Sequence, residues 1–166
     1  MLSIIVAIAK NFAIGKKNEL LYKMPNDMKR FKETTTGHTV IMGKNTFNSF
    51  PRRPLPNRRN IVLALPDEIP ADREGAEWVT SLDEALRISH DDGEVFIIGG
   101  AYVYRQTLPL ADKLYLTVID DEPQDADAFF PTVNYDEWNV EQEEKHSADE
   151  RHAYDYTFLD LTRKKQ

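Results

Sequence analysis

Asp27 is the residue in this sequence best placed to do chemistry, because it interrupts an otherwise apolar stripe. Met24, Asp27, Met28 and Phe31 are spaced three or four apart, so they share one face of a helix that starts near Pro25. Two readings of the acid stand side by side. It is either a first-turn carboxylate that complements the helix dipole, or a partly desolvated carboxylate that hydrogen-bonds a ligand and titrates above its ordinary range. Two other places share a pattern of apolar strand, glycine and helix: Val40-Ile41-Met42-Gly43-Lys44-Asn45-Thr46-Phe47 and Phe96-Ile97-Ile98-Gly99-Gly100-Ala101-Tyr102-Val103-Tyr104. At such junctions glycine admits a phosphate to the free N–H groups of a helix start, and a pair of them can hold both halves of a pyrophosphate. Equally, glycine there makes a tight turn and nothing more. The loop Phe50 to Arg59 carries Arg52, Arg53, Arg58 and Arg59, which either keep it soluble or provide one bidentate clamp for a substrate carboxylate.

Counting excludes several other chemistries. Gly99-Gly100 is followed by no further glycine at dinucleotide-fingerprint spacing. Gly37 and Gly43 enclose five residues where the phosphate loop needs four, and Asn45 follows the lysine. There is no cysteine, hence no thiolate nucleophile or Cys-ligated metal, which fits a reducing compartment. His38, His90, His146 and His152 lack metal-ligand spacing, no Gly-x-Ser-x-Gly elbow occurs, and the acidic C-terminal stretch lacks calcium-loop spacing, so no metal is expected.

The elements that must position these groups alternate in type. Apolar runs rich in β-branched residues, Leu2 to Ala9, Thr39 to Met42, Asn60 to Leu65, Val95 to Ile98 and Leu114 to Ile119, read as buried strands. Between them lie helical segments: Pro25 to about Thr35, and one opened by the capping box Ser81-Leu82-Asp83-Glu84. Alternating stretches at Trp138 to Glu144 and Tyr154 to Thr162 predict a C-terminal antiparallel hairpin. The fold class is therefore α/β, with a mainly parallel sheet, crossover helices and a single domain over residues 1–166.

Charge is distributed unevenly around that frame. The net charge is -7, yet Thr34 to Pro66 holds no acid and carries Lys44, Arg52, Arg53, Arg58 and Arg59. Asp120 to Asp155 holds thirteen acids against only Lys145 and Arg151. Such a chain is no general nucleic-acid binder, but its one basic patch can attract a small anion. Its apolar runs are too short to span a membrane, and 41 % hydrophobic residues are enough for a core.

In combination and in order, these motifs make the chain similar to dihydrofolate reductases of the bacterial chromosomal type. Ile14-Gly15 with Asn18 resembles the family's mobile loop after the first strand, and Met24-Pro25-Asn26-Asp27 through Phe31-Lys32 its Leu-Pro-x-Asp/Glu helix. Val40-Ile41-Met42-Gly43 with Thr46-Phe47, Arg53-Pro54-Leu55-Pro56 and Arg58-x-Asn60-Ile61-Val62-Leu63 resemble its cofactor and substrate-tail segments. Ile97-Ile98-Gly99-Gly100-Ala101 with Tyr104, Leu114-Tyr115-Leu116-Thr117 and Phe130-Pro131 complete the set.

The resemblance implies a three-layer fold: about eight strands, predominantly parallel, with about four flanking helices. It implies reduction of 7,8-dihydrofolate to tetrahydrofolate with NADPH, by hydride transfer to pterin C6 and protonation at N5 through water. Asp27 would pair with the pterin amino group and ring nitrogen, with Thr117 as its hydroxyl partner; Leu20 and Tyr22 stand where the family has a loop methionine and a tryptophan, and join it as expected catalytic residues. Ile5, Ala7, Met28, Phe31, Phe50, Leu55 and Ile98 would line the substrate pocket, and Arg58 would grip the glutamate tail. NADPH would contact Ala7, Ile14, Gly15 and Asn18 at one edge, and Gly43, Lys44, Asn45, Thr46, Ser49 and Leu63 at the first junction. Ile98, Gly99, Gly100, Ala101, Tyr102, Val103 and Tyr104 would hold it at the second.

Departures from the family pattern are Leu21-Tyr22 for Pro-Trp, Lys44 for an arginine, Ala64-Leu65 for polar or basic residues, Pro51 and Asn57 for glycines, and Ala126 for the glycine of a Gly-Asp-Thr turn. The expected protein is a cytoplasmic monomer of one-carbon metabolism, an antifolate target without membrane or nucleic-acid partners. The competing readings are a same-fold pyrimidine reductase of flavin synthesis and a non-catalytic folate- or nucleotide-binding protein.

Overall fold

The computed structural model describes residues 1–17, 19–73 and 75–165. Eight strands form the main sheet: β1 (Leu2–Ala9), β4 (Thr39–Gly43), β5 (Arg59–Leu63), β6 (Glu77–Val79), β7 (Val95–Ile97), β8 (Lys113–Ile119), β10 (Trp138–His146) and β11 (Tyr156–Arg163). Their order is β10-β11-β8-β1-β7-β4-β5-β6, parallel from β8 to β6, with β11 antiparallel to both β8 and β10. A second sheet of β2 (Ala13–Lys16), β3 (Glu19–Leu20) and β9 (Ala128–Phe129), in the order β3-β2-β9, was not expected from the sequence. The helices are α1 (Pro25–Thr35), α2 (Lys44–Ser49), α3 (Leu82–Ile88) and α4 (Ala101–Thr107).

Both faces of the central strands are buried, which explains their continuous apolar runs. The period of two divides each strand between two cores. Ile4, Val6 and Ile8 of β1 join Ile41, Ile97, Leu114 and Leu116 on the face covered by α3 and α4. Ile5 joins Val40, Met42, Phe96 and Ile98 on the other face, where Phe31 of α1 and Phe47 of α2 pack. Boundaries moved modestly: β5 starts at Arg59 and ends at Leu63, two residues before the expected end, because Pro66–Glu68 turns into a 3-10 helix. At the capping box that opens α3, Ser81 Oγ accepts from Glu84 N at 3.1 Å. Among the described residues no helix is long and apolar enough to cross a membrane.

Candidate active site

Asp27 sits in the first turn of α1, over the edge where β1 and β8 run side by side. Thr117 of β8 donates to Asp27 Oδ1 at 2.5 Å. The register places Thr117 opposite Ala7 of β1, so the neighbour of the Thr117 hydroxyl on that face is a small, uncharged side chain. Burial pushes the Asp27 carboxyl above its ordinary range, against the smaller opposing effects of the Thr117 hydroxyl and the Arg30 charge. The carboxylate is therefore desolvated as well as placed in the first turn of α1. Tyr104 of α4 lies near enough that the Asp27 charge, after burial, raises its phenol; that phenol donates to the Ile5 carbonyl oxygen at 3.0 Å.

The helix that carries Asp27 is anchored at its start from the far end of the chain. Met24 occupies the N-cap without a side-chain bond. Instead Asn26 N donates to Nε2 of the buried His152 at 3.3 Å, and Asn26 Nδ2 donates to the Tyr156 hydroxyl at 2.7 Å. A helix-start N–H that would be left without an acceptor is thereby satisfied.

The two strand–glycine–helix junctions lie side by side: Gly43 N donates to Gly99 O at 2.9 Å, and Ile98 N donates to Ile41 O at 3.0 Å. Gly99 has φ +127, a conformation that L side chains rarely adopt, and a Cβ there would stand 3.3 Å from Thr46 Oγ1 and 3.4 Å from the Tyr104 hydroxyl. A Cβ on Gly43 would stand 3.7 Å from Val103, in the gap between the junctions. The Gly99-Gly100 peptide is cis. The cradle is thus built from backbone that side chains would fill, as close approach of a pyrophosphate requires, so the residues fit a dinucleotide. Neither α2 nor α4 starts with a side-chain cap or a first-turn acid, so neither presents a competing anion to a phosphate.

The basic segment resolves into cations with different occupations. Lys44 Nζ lies 2.6 Å from Glu68 Oε2, and Arg59 binds Glu77 and Asp92, both at 2.6 Å. Arg58 donates to neutral oxygens, from Nε to Pro56 O at 2.9 Å and from Nη1 to Thr35 Oγ1 at 3.0 Å. Among the described residues no carboxylate pairs with it, and burial lowers its pKa from the usual guanidinium range. Its carbon lies 5.8 Å from the Phe31 ring centroid, on the face of α1 that bears Asp27. The loop before it is braced by the buried Asn60, whose side chain accepts from Leu55 N and donates to the oxygens of Leu55 and Arg58. Asn57 takes φ +61, and asparagine is among the few non-glycine residues that tolerate this, so replacing the family's glycine there is physically mild.

Of the expected pocket residues, Ile5, Leu55 and Ile98 are buried, whereas Phe31, Phe50 and Ala7 are half-buried. Met28 is 60 % exposed, an apolar side chain on Asp27's own face of α1. Ile14 and Gly15 lie in β2, which is tied to Asp127 through Gly15 O; Asn18 lies outside the described residues. Leu20 is 66 % exposed on β3. Tyr22 donates to Asp121 Oδ2 at 2.7 Å rather than toward Asp27, and burial with that bond raises its phenol. Leu63 and Tyr102 flank the junctions, and Ser49 Oγ is bonded to Thr46 O. Asn45 is the second residue of α2, and Ala101 opens α4.

Sequence reasoning missed Arg30, Asp160, Glu68 and His152, all of which act through contacts distant in the chain or outside any motif. A hollow of about 590 Å³ lined by Val133, Trp138 and Arg163 shares no residue with the Asp27 network. Among the described residues no cluster of three or more His, Cys, Asp or Glu is placed to hold a metal.

Residues 1–163 match the family model described as dihydrofolate reductase. The chain is 46 % identical to a dihydrofolate reductase of Haemophilus influenzae over 162 residues, 98 % of each chain. It is 42 % identical to that of Bacillus subtilis over 160 residues, covering 96 % of this chain and 92 % of the relative. Among solved structures, dihydrofolate reductase from Enterococcus faecalis complexed with NADP(H) and RAB-propyl superposes with a TM-score of 0.86 at 33 % identity, covering 99 % of this chain and 97 % of that one.

Proposed function

The chain belongs to the dihydrofolate reductase family, and on that footing we infer that its cleft reduces 7,8-dihydrofolate to 5,6,7,8-tetrahydrofolate with NADPH. The observation that carries the reading is Asp27: a carboxylate held by Thr117 and raised by burial, on the helix whose Phe31 carries an Arg58 that bonds neutral oxygens.

When bound, NADPH supplies a hydride from nicotinamide C4 to pterin C6. The protein's residues do the rest. Asp27 accepts two hydrogen bonds, from the pterin amino group and the adjacent ring nitrogen, which fixes the ring's orientation. Its negative charge favours protonation at N5, and the proton arrives through water because the carboxylate lies on the other side of the ring. Hydride plus proton balance the reduction of one C=N bond. Ile5, Ala7, Met28, Phe31, Phe50 and Leu55 keep the remaining solvent out, and Arg58 takes the carboxylate of the glutamate tail bidentately. The first turn of α2, with Asn45 and Thr46, and the stretch from Gly99 to Val103 offer backbone N–H groups to the cofactor's pyrophosphate, while Gly43 without a side chain lets it approach.

The same reading makes the whole chain one domain, working as a cytoplasmic monomer in one-carbon metabolism and open to inhibition by antifolates. It is supported by the correspondence of sequence along nearly the full length.

Following NADPH absorbance after addition of dihydrofolate tests the activity. Native protein should turn over and Asp27→Asn should be crippled at neutral pH. Native protein without turnover, or an Asp27→Asn variant with full activity, overturns the mechanism.

A further inference from the structure

Arg30 lies one turn after Asp27 on α1 and reaches across the sheet beneath it. In register, Thr117 of β8 faces Phe158 of β11, and Tyr115 faces Asp160, so the four side chains form a square on one face. The guanidinium covers that square. Its Nη1 donates to Thr117 Oγ1 at 3.3 Å and to Leu116 O at 3.1 Å, and its Nη2 lies 2.5 Å from Asp160 Oδ1. The Phe158 ring centroid is 4.6 Å from its central carbon, and the Arg30 and Asp160 side chains are only 15 % and 19 % exposed.

A hydroxyl has one proton to give. Because Arg30 can only donate, its bond to Thr117 Oγ1 engages the hydroxyl as an acceptor and leaves the single proton for Asp27. We propose that Arg30 is a positioning residue for the reaction, directing the Thr117 hydroxyl at Asp27 and, with Asp160 as its counterion, setting the charge that the pterin-binding carboxylate experiences. The proposal rests on the reading of Asp27 as that carboxylate.

The other groups facing Asp27 are few. Thr117 comes from β8, the buried Tyr104 from α4 is hydrogen-bonded to Ile5 O, and β1 contributes the uncharged Ala7. Tyr115 of β8 is bonded to Glu94, and Tyr22, before α1, to Asp121. Among the described residues Arg30 is therefore the cation of this network, and Asp160 is its ion-pair partner.

Two neutralising variants should act in opposite directions. An opposite charge nearby favours the ionised form, so Arg30→Met should raise the midpoint at which Asp27 titrates, by about half to one pH unit. Asp160→Asn frees the Arg30 charge from its counterion and should lower the midpoint. The double variant Arg30→Met/Asp160→Asn removes both charges of the pair, so it keeps the test open if Arg30→Met alone fails to fold. Its midpoint should still exceed the native one, because the nearer charge is lost.

The midpoint is read from the carboxyl carbon resonance of Asp27 across pH, assigned by its disappearance in Asp27→Asn, and from the inflection in the pH profile of hydride transfer. Opposite shifts with an NADPH KM within about twofold of native support the proposal. Unmoved midpoints, shifts in the same direction, or an NADPH KM that rises as much as kcat falls overturn it, the last two marking general loosening. Full activity in Asp27→Asn defeats the functional reading itself, whereas an inactive Asp27→Asn with unmoved midpoints defeats this inference alone.

Discussion

The surroundings of Asp27 and the basic end around Arg58 are built on opposite plans. Around Asp27 the polar groups are answered from within: Thr117 donates to the carboxylate, Arg30 engages Thr117, Asp160 holds Arg30, and His152 satisfies the start of the helix. At the basic end, Arg58 spends its donors on neutral oxygens and, among the described residues, keeps its charge uncompensated, while Lys44 is paired with Glu68. A closed network adjusts the protonation of the group it surrounds, whereas an open cation contributes affinity for an anion. The Asp27 end should therefore govern the chemical step and the Arg58 end the grip on the substrate.

The largest expected effect tests the first half of that division. Asp27→Asn keeps the shape and can still accept from Thr117, but it loses the charge, so kcat should fall by about 10²- to 10³-fold. The dissociation constant for NADPH, measured by titration of the protein's fluorescence, should stay near native. A variant that loses cofactor binding in proportion would erase the distinction between the two ends.

Arg58→Leu tests the second half. Removing one partner of a desolvated charge pair should raise KM for dihydrofolate by about 10²-fold with little change in kcat. Steady-state kinetics in both substrates read this directly, and a fall in kcat as large as the rise in KM would mean that the ends are not separable. Glu68→Gln should act more weakly, since its pair with Lys44 lies at the surface. Freeing Lys44 should tighten NADPH by about threefold while leaving NADH unchanged, and added salt should shrink the gain. Equal effects on both cofactors would show that Lys44 does not meet the phosphate that distinguishes them.

Why one end was more legible in the sequence follows from the range of its contacts. Asp27 stood out because spacing within one helix exposes a lone acid among Met24, Met28 and Phe31, and the glycines at 43 and 99–100 stood out because each follows an apolar strand. The parallel strands of the main sheet were legible through their apolar runs, apart from the three-residue β6, and the antiparallel β10 and β11 through alternating residue types. The small sheet was not, since β3 and β9 are two residues each and carry no buried alternation. Arg30 and Asp160 are 130 residues apart and look like ordinary surface charges until β11 is placed beside β8. His152 likewise becomes a helix cap only through the tertiary fold. Leu20 and Tyr22 could be matched by position, but not their surroundings: exposure for one, Asp121 for the other.

The smallest effect concerns stability and bears on the cost of the closed end. Burial raises the Asp27 carboxyl above its ordinary value of 3.8, so between that value and its native midpoint the folded protein binds more protons than the unfolded chain. Stability then falls with rising pH across this window: the contribution is fully present below the unfolded value and is lost as pH rises through the folded one. Once ionised, the partly desolvated carboxylate is a liability that a neutral asparagine in its place would not carry. Asp27→Asn should therefore melt higher than native at pH 7, by about 1–2 °C once solvent at the cleft mouth is allowed for. The gap should narrow as pH is lowered toward the carboxyl's own range, where the native side chain also becomes neutral. Thermal melts of the two proteins over a series from about pH 7 down into the acid range decide it. A gap independent of pH would mean that the substitution acts through packing, and a native protein that melts higher at pH 7 would mean that Thr117 and Arg30 more than offset the burial of the charge.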